Sequence, residues 1–262
     1  MGALSLIKVL FLCHVAMGVE PQMPRFLGEF DLPHAGFIET WDREDGGKDM
    51  YFTTFNPGLP FFHDPVYFLR DPGNYLDDVS SWPDHLGTLG AKSSAYWPNF
   101  PIKVPKEVLG FEGVVQTSGF LVPGKTAGKI ELFDTSAAEQ GVNHPIDIAH
   151  GAREGHDWSY HWVVWKDIDN DGLIDALTAR FRVPTFGDPI SQLIFLKNPG
   201  VDSMPSPGNN WDWQHFIITE VNMTNDRMLS LDAILPFRDL MSTSSWKSSQ
   251  AAAPPPALTT AR

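Results

Sequence analysis

The residues best placed to do chemistry lie in one short run: Asp167, Ile168, Asp169, Asn170, Asp171, Gly172, Leu173, Ile174 and Asp175. Carboxylates at the first, third, fifth and ninth places put hard oxygens around one point, and the glycine at the sixth allows the tight turn such a loop needs. The donor set suits Ca²⁺, with Asp167, Asp169, Asp171, Leu173 and Asp175 as its expected ligands. A helix–loop–helix calcium site would need a bidentate acid at the twelfth place, but that place is Thr178. The flanks also read as strands, since 162–165 and 176–183 are rich in aromatic and β-branched residues. The run therefore predicts a calcium loop at a turn between two β-strands.

The elements that must position this loop recur elsewhere in the chain. Residues 41–49 place Gly46 and Asp49 where Gly172 and Asp175 stand, and Asp45 keeps the fifth-place acid. The third place is Arg43, whose charge would repel a divalent ion, so this loop is expected to lack full calcium binding. Further on, Asp64-Pro65 corresponds to Asp188-Pro189, and the run from Phe68 to Gly73 matches that from Phe195 to Gly200. A shared loop-strand-turn-strand order is the signature of stacked β units. The two copies lie farther apart than one repeat spans, so either a third, divergent unit or an insertion separates them. Residues 108–133 read as two or three strands of such a unit, and 75–105 as a long loop.

Asp-x-Asp-x-Asp-Gly-x-x-Asp between strands, followed by 195–200 and then Trp211 or Trp213, His215, Ile217 and Ile218, resembles the FG-GAP/VCBS type of repeat. That resemblance implies four-stranded blades of a secreted β-propeller with calcium in the loop. The expected fold is thus all-β: a partial β-propeller of blade-like antiparallel sheets with long loops. A ring needs roughly four to eight blades, more than the two clear and one divergent units found here. The alternatives are a partial propeller within an assembly, a shortened gene product, or a compact β-sandwich of blade-like sheets.

Composition agrees with a β protein. Nine Trp and eighteen Phe, with many Gly and Pro, favour short strands and turns. A formal charge of −13 opposes nucleic-acid binding, which needs clustered Lys and Arg. Residues 1–18 have the form of a secretory signal, an apolar run ending in small residues. The single cysteine, Cys13, lies within it, so stability after cleavage would rest on calcium and packing rather than disulfides. No later run approaches a membrane span. The expected repeat domain covers 19–240, and 241–262 is a low-complexity tail with Pro254, Pro255 and Pro256. Asn222, in Asn-Met-Thr, is a glycosylation candidate.

Four histidines, His144, His150, His156 and His161, precede the calcium loop without the spacing of a compact zinc site. Asp147, Glu154 and Asp157 lie near them as candidate paired carboxylates, though solvated surface acids are the commoner case in so acidic a chain. Arg180 and Arg182 share one strand face and are expected to pair with acids on an exposed sheet. Trp158, Trp162, Trp165, Trp211 and Trp213 are expected to serve packing rather than sugar stacking. Two functions follow as expectations. The first is a secreted, non-catalytic, calcium-stabilised interaction or matrix protein, extracellular and of a kind that can sit in a mineralised matrix, whose partner is a protein, glycan or mineral surface. The second is a carbohydrate-active lyase or dehydratase, with His156 or His161 as base. No nucleophile elbow, zinc-protease helix or dinucleotide glycine loop accompanies the second reading.

Overall fold

A computed structural model describes residues 6–10, 25–56, 64–90, 97–120, 125–135, 141–142, 144–151, 157–182, 184 and 188–222, with backbone alone at 6–10, 141–142 and 221–222. The fold is all-β. Its strands are β1 (Leu6–Leu10), β2 (Phe26–Asp31), β3 (Ala35–Asp42), β4 (Lys48–Thr54), β5 (Val66–Arg70), β6 (Gly87–Leu89), β7 (Pro98–Val104), β8 (Gly113–Ser118), β9 (Lys129–Asp134), β10 (Gly141–Val142), β11 (Ile146–His150), β12 (Ser159–Lys166), β13 (Asp175–Arg182), β14 (Ile190–Lys197) and β15 (Gln214–Asn222).

These strands form three four-stranded antiparallel meanders in chain order: β3-β4-β5-β6, then β7-β8-β9-β11, then β12-β13-β14-β15. The third unit between the two recognisable repeats is therefore a sheet, the second meander. The span 75–105 is not one long loop, because it holds the 3₁₀ turn Val79–His85, β6 and β7. Its prolines hid β7 from a reading by periodicity. Pro98 and Pro101 cannot donate to a ladder, but β7 is an edge strand paired only with β8, and its register shifts between the two prolines.

The sheets share apolar faces. On β4, Met50 and Phe52 face a cluster with Phe30 of β2, Leu32 just after it, Leu69 of β5, and Val79 and Trp82 of the 3₁₀ turn Val79–His85. Tyr51 points the other way, to Val66, Phe68, Leu89, Val114 and Phe133, between the first and second sheets. On β8, Val114 joins that seam while Val115 joins a third cluster, with Ile130, Tyr160, Val163, Ala176, Ile194 and Leu196, between the second and third sheets. The alternation of side chains along a strand is what lets one sheet feed two cores. The short β10 reaches across to lie parallel to β6, tying the connection of the second meander to the first.

Among the described residues, β15 is an edge with apolar side chains. β15 pairs only with β14, and Phe216, Ile217 and Ile218 on it are exposed. The tail and the end of the expected repeat domain, with His156 and Glu154, lie outside the described residues. Within the expected signal segment, Leu6–Leu10 form a strand antiparallel to β2, while Cys13 lies outside the described residues. Asn222 closes β15. No helix among the described residues is long and apolar enough to cross a membrane.

Candidate metal centre

The loop from Asp167 to Ile174 joins β12 to β13, with Lys166 paired to Asp175 at its base. Asn170 and Gly172 both take positive φ, 63° and 93°. These are the left-handed residues that fold the loop back on itself, a conformation glycine adopts at no steric cost and asparagine at little.

Asp175 anchors the site. It is fully buried, and both its oxygens are held by backbone amides: Ile168 N–H donates to Oδ2 at 2.9 Å and Asn198 N–H to Oδ1 at 2.9 Å. A carboxylate so fixed has lone pairs left for a cation and needs no rearrangement to offer them. Asn198 is itself locked, its side-chain amide donating to the Ile174 carbonyl at 3.0 Å. In the third sheet the turn at 195–200 thus secures the ninth-place acid from a neighbouring strand, whereas at 68–73 the Asp71 amide donates to the Lys48 carbonyl.

Around this anchor, one carboxylate oxygen each from Asp167, Asp169 and Asp175 lie within 4.8 Å of one another. Gly172 N–H donates to Asp167 Oδ2 at 3.1 Å, while Asp167 Oδ1 is buried with no hydrogen-bond partner. A buried anionic oxygen without a hydrogen bond, on a carboxylate that stands beside two others, is costly without a positive partner. The residues fit a hard divalent cation, which all-oxygen donors favour.

The fifth-place acid is placed differently from its neighbours. Asp171 stands outside that group of three. Its Oδ1 accepts from Leu173 N–H at 2.9 Å, and its Oδ2 accepts from Lys197 Nζ at 2.7 Å, an ammonium that also bonds Asp169. The bond from Lys197, then that from Leu173 N–H, hold the Asp171 carboxyl below the usual carboxylate range, and the two aspartates raise the Lys197 ammonium above its own. Leu173 contributes its backbone amide to this ring and is half-buried.

Among the described residues, His144, His150 and His161 form no metal-holding group. The only group of three or more His, Cys, Asp or Glu side chains among the described residues that is close enough to share an ion is the aspartate cluster. His144 is exposed, while His161 is buried on β12, where desolvation lowers its pKa to about 4 and keeps it neutral. His150 instead lines a cleft of about 170 Å³ with Asp147, Asp212, Trp211, Trp213 and His215. Asp147 has a salt bridge to Lys129 at 3.3 Å, and Asp157 accepts from the Thr126 hydroxyl at 3.2 Å. The cleft was not legible in the chain, because β11 and 210–215 meet only through tertiary pairing, Trp211 N–H donating to the Asp147 carbonyl.

The remaining candidates serve packing. Trp158, Trp211 and Trp213 are buried. Arg180 is also buried rather than on an exposed face: it donates to Gln192 at 2.8 Å and its guanidinium lies 4.3 Å from the Trp158 ring centre, with Arg182 at 5.2 Å. Phe181, on the opposite face, meets Phe120 edge to face. Compared with family models, with curated proteins and with solved structures, the chain finds no match.

Proposed function

We propose that this is a secreted, calcium-binding module of FG-GAP/VCBS character, built as part of a β-propeller and acting without catalysis in extracellular or mineralised matrix assembly. The observation that carries the reading is the convergence of Asp167, Asp169 and Asp175 in a loop between two strands, with Asp175 preset by two backbone amides. Three consecutive four-stranded meanders stacked through shared cores support the blade reading. The acidic charge and the exposed apolar residues Phe216, Ile217 and Ile218 of β15 support contact with an extracellular protein, glycan or mineral surface.

The test is thermal unfolding in Ca²⁺ and then in excess chelator. A ligand that binds only the folded state stabilises by about 2.7 kcal/mol at a hundredfold excess over Kd. The midpoint should therefore fall on chelation, and one that stays put removes calcium from the reading. A second reading, a carbohydrate-active enzyme, rests on the cleft holding Asp147, His150 and His215. Shortened or unsaturated sugars released from an acidic oligosaccharide, and lost in His150→Ala, would move the function there.

A further inference from the structure

We infer that the hairpin between β3 and β4 is a cation site whose cation is covalently supplied: the guanidinium of Arg43 sits where the corresponding loop of the third sheet would place a divalent ion. The inference rests on the calcium reading of that third-sheet loop for its analogy, though its own geometry is independent of it.

The two hairpins correspond strand for strand. Met50 lies opposite Leu69 as Ala176 lies opposite Leu196, so Asp49 matches Asp175 and Asp71 matches Asn198. Asp49 is buried as Asp175 is. Into this setting Arg43 donates from Nη1 to Asp49 Oδ1 at 2.8 Å, from Nη2 to Asp71 Oδ2 at 3.1 Å, and from Nε to Asp45 Oδ1 at 3.0 Å. Three carboxylates from a loop, a strand and the following turn thus converge on one group, and its side chain is only 10 % exposed.

The seat is shaped for that group. Gly47 stands at the place of Leu173, and a Cβ there would lie 2.1 Å from Arg43 Nη2 and 2.5 Å from its Cζ. The missing side chain is therefore the space the guanidinium fills. By contrast, nothing lies within 4 Å of a Cβ at Gly46, so that glycine answers to its φ of 85° and not to crowding. The loop is also one residue shorter, since Trp41 pairs with Asp49 whereas Lys166 pairs with Asp175, and Asp42, which follows Trp41 as Asp167 follows Lys166, is engaged by Lys48.

A guanidinium is charged at every accessible pH and presents its donors in a fixed fork that suits several carboxylates at once. The first hairpin is then closed at any calcium concentration, and calcium acts on the third sheet alone. Removing the guanidinium leaves Asp45, Asp49 and Asp71 without their shared partner; their oxygens stand farther apart than those of Asp167, Asp169 and Asp175, so a hard divalent ion would have to draw them in.

The experiment is equilibrium dialysis of the full chain against Ca²⁺, with hydrogen exchange at 43–49 in Ca²⁺ and in chelator. Arg43→Ala should hold about one more ion than wild type, and exchange at 43–49, insensitive to calcium in wild type, should become calcium-dependent. Asp71→Asn in the Arg43→Ala background should abolish the extra ion, and Arg43→Lys should never acquire it. A folded Arg43→Ala that holds no more calcium than wild type and shows no calcium-dependent exchange overturns the inference. If Arg43→Ala folds only with calcium, the inference stands; if it folds in neither condition, Arg43→Gln is read by the same criteria. Wild type with no ion and Arg43→Ala with one would uphold this inference while removing calcium from the Asp167 loop.

Discussion

Replacing Asp175 by alanine separates the anchor's structural role from its metal role. The side chain accepts two backbone N–H bonds, from Ile168 and Asn198, at a fully buried position. Hydrogen bonds to a charged acceptor contribute roughly 1.5–3 kcal/mol each. Their loss should then cost about 3–6 kcal/mol, a large share of the 5–15 kcal/mol typical of a folded domain. The measurement is urea unfolding followed by tryptophan fluorescence, with wild type and Asp175→Ala each in chelator and in Ca²⁺. In chelator the variant should be less stable by that amount with an unchanged m value, and calcium should stabilise wild type but not the variant. A cost below about 1 kcal/mol in chelator would refute the view that this carboxylate organises the loop before any ion arrives.

Two further outcomes follow from buried charge. Burial lowers the pKa of His161 from 6.5 to about 4. Below 6.5 the unfolded chain therefore binds a proton that the folded chain refuses. The contribution is fully present above 6.5 and is lost as pH falls toward 4, at most about 3 kcal/mol, and His161→Phe should flatten that part of the stability–pH curve measured by denaturant titration. Lys125 and Asp64 form an ion pair at 2.9 Å with neither side chain exposed, and Asp64 also accepts from Asn56 N–H and Trp97 N–H. Lys125→Met should cost about 3–5 kcal/mol by leaving a buried carboxylate uncompensated, and adding Asp64→Asn should recover part of it in a double-mutant cycle of unfolding free energies.

The expectation that Arg43 spoils the first loop for calcium follows from charge alone. What the guanidinium does there is set by tertiary structure, because Asp49 lies on β4 and Asp71 follows β5, and Gly47 reads in sequence as one more turn residue. The same holds for Arg180. Alternation placed it opposite Phe181, but only the packing of Trp158 shows that its face is inside.

What the chain determined by itself is local. The glycine and aspartate spacing of 167–175, the aromatic and β-branched flanks, and the doubled run at 68–73 and 195–200 each act within a few residues, through φ preference, charge and strand period. These features suffice for two hairpins and an all-β fold. Tertiary structure alone decided the rest: that Pro98 and Pro101 lie in an edge strand, that Asn198 reaches back to hold Asp175, that Asp171 turns to Lys197, and that β11 meets 210–215 to form a cleft. Each of these joins groups distant along the chain, and their meeting is set by how apolar faces stack, which no local spacing encodes.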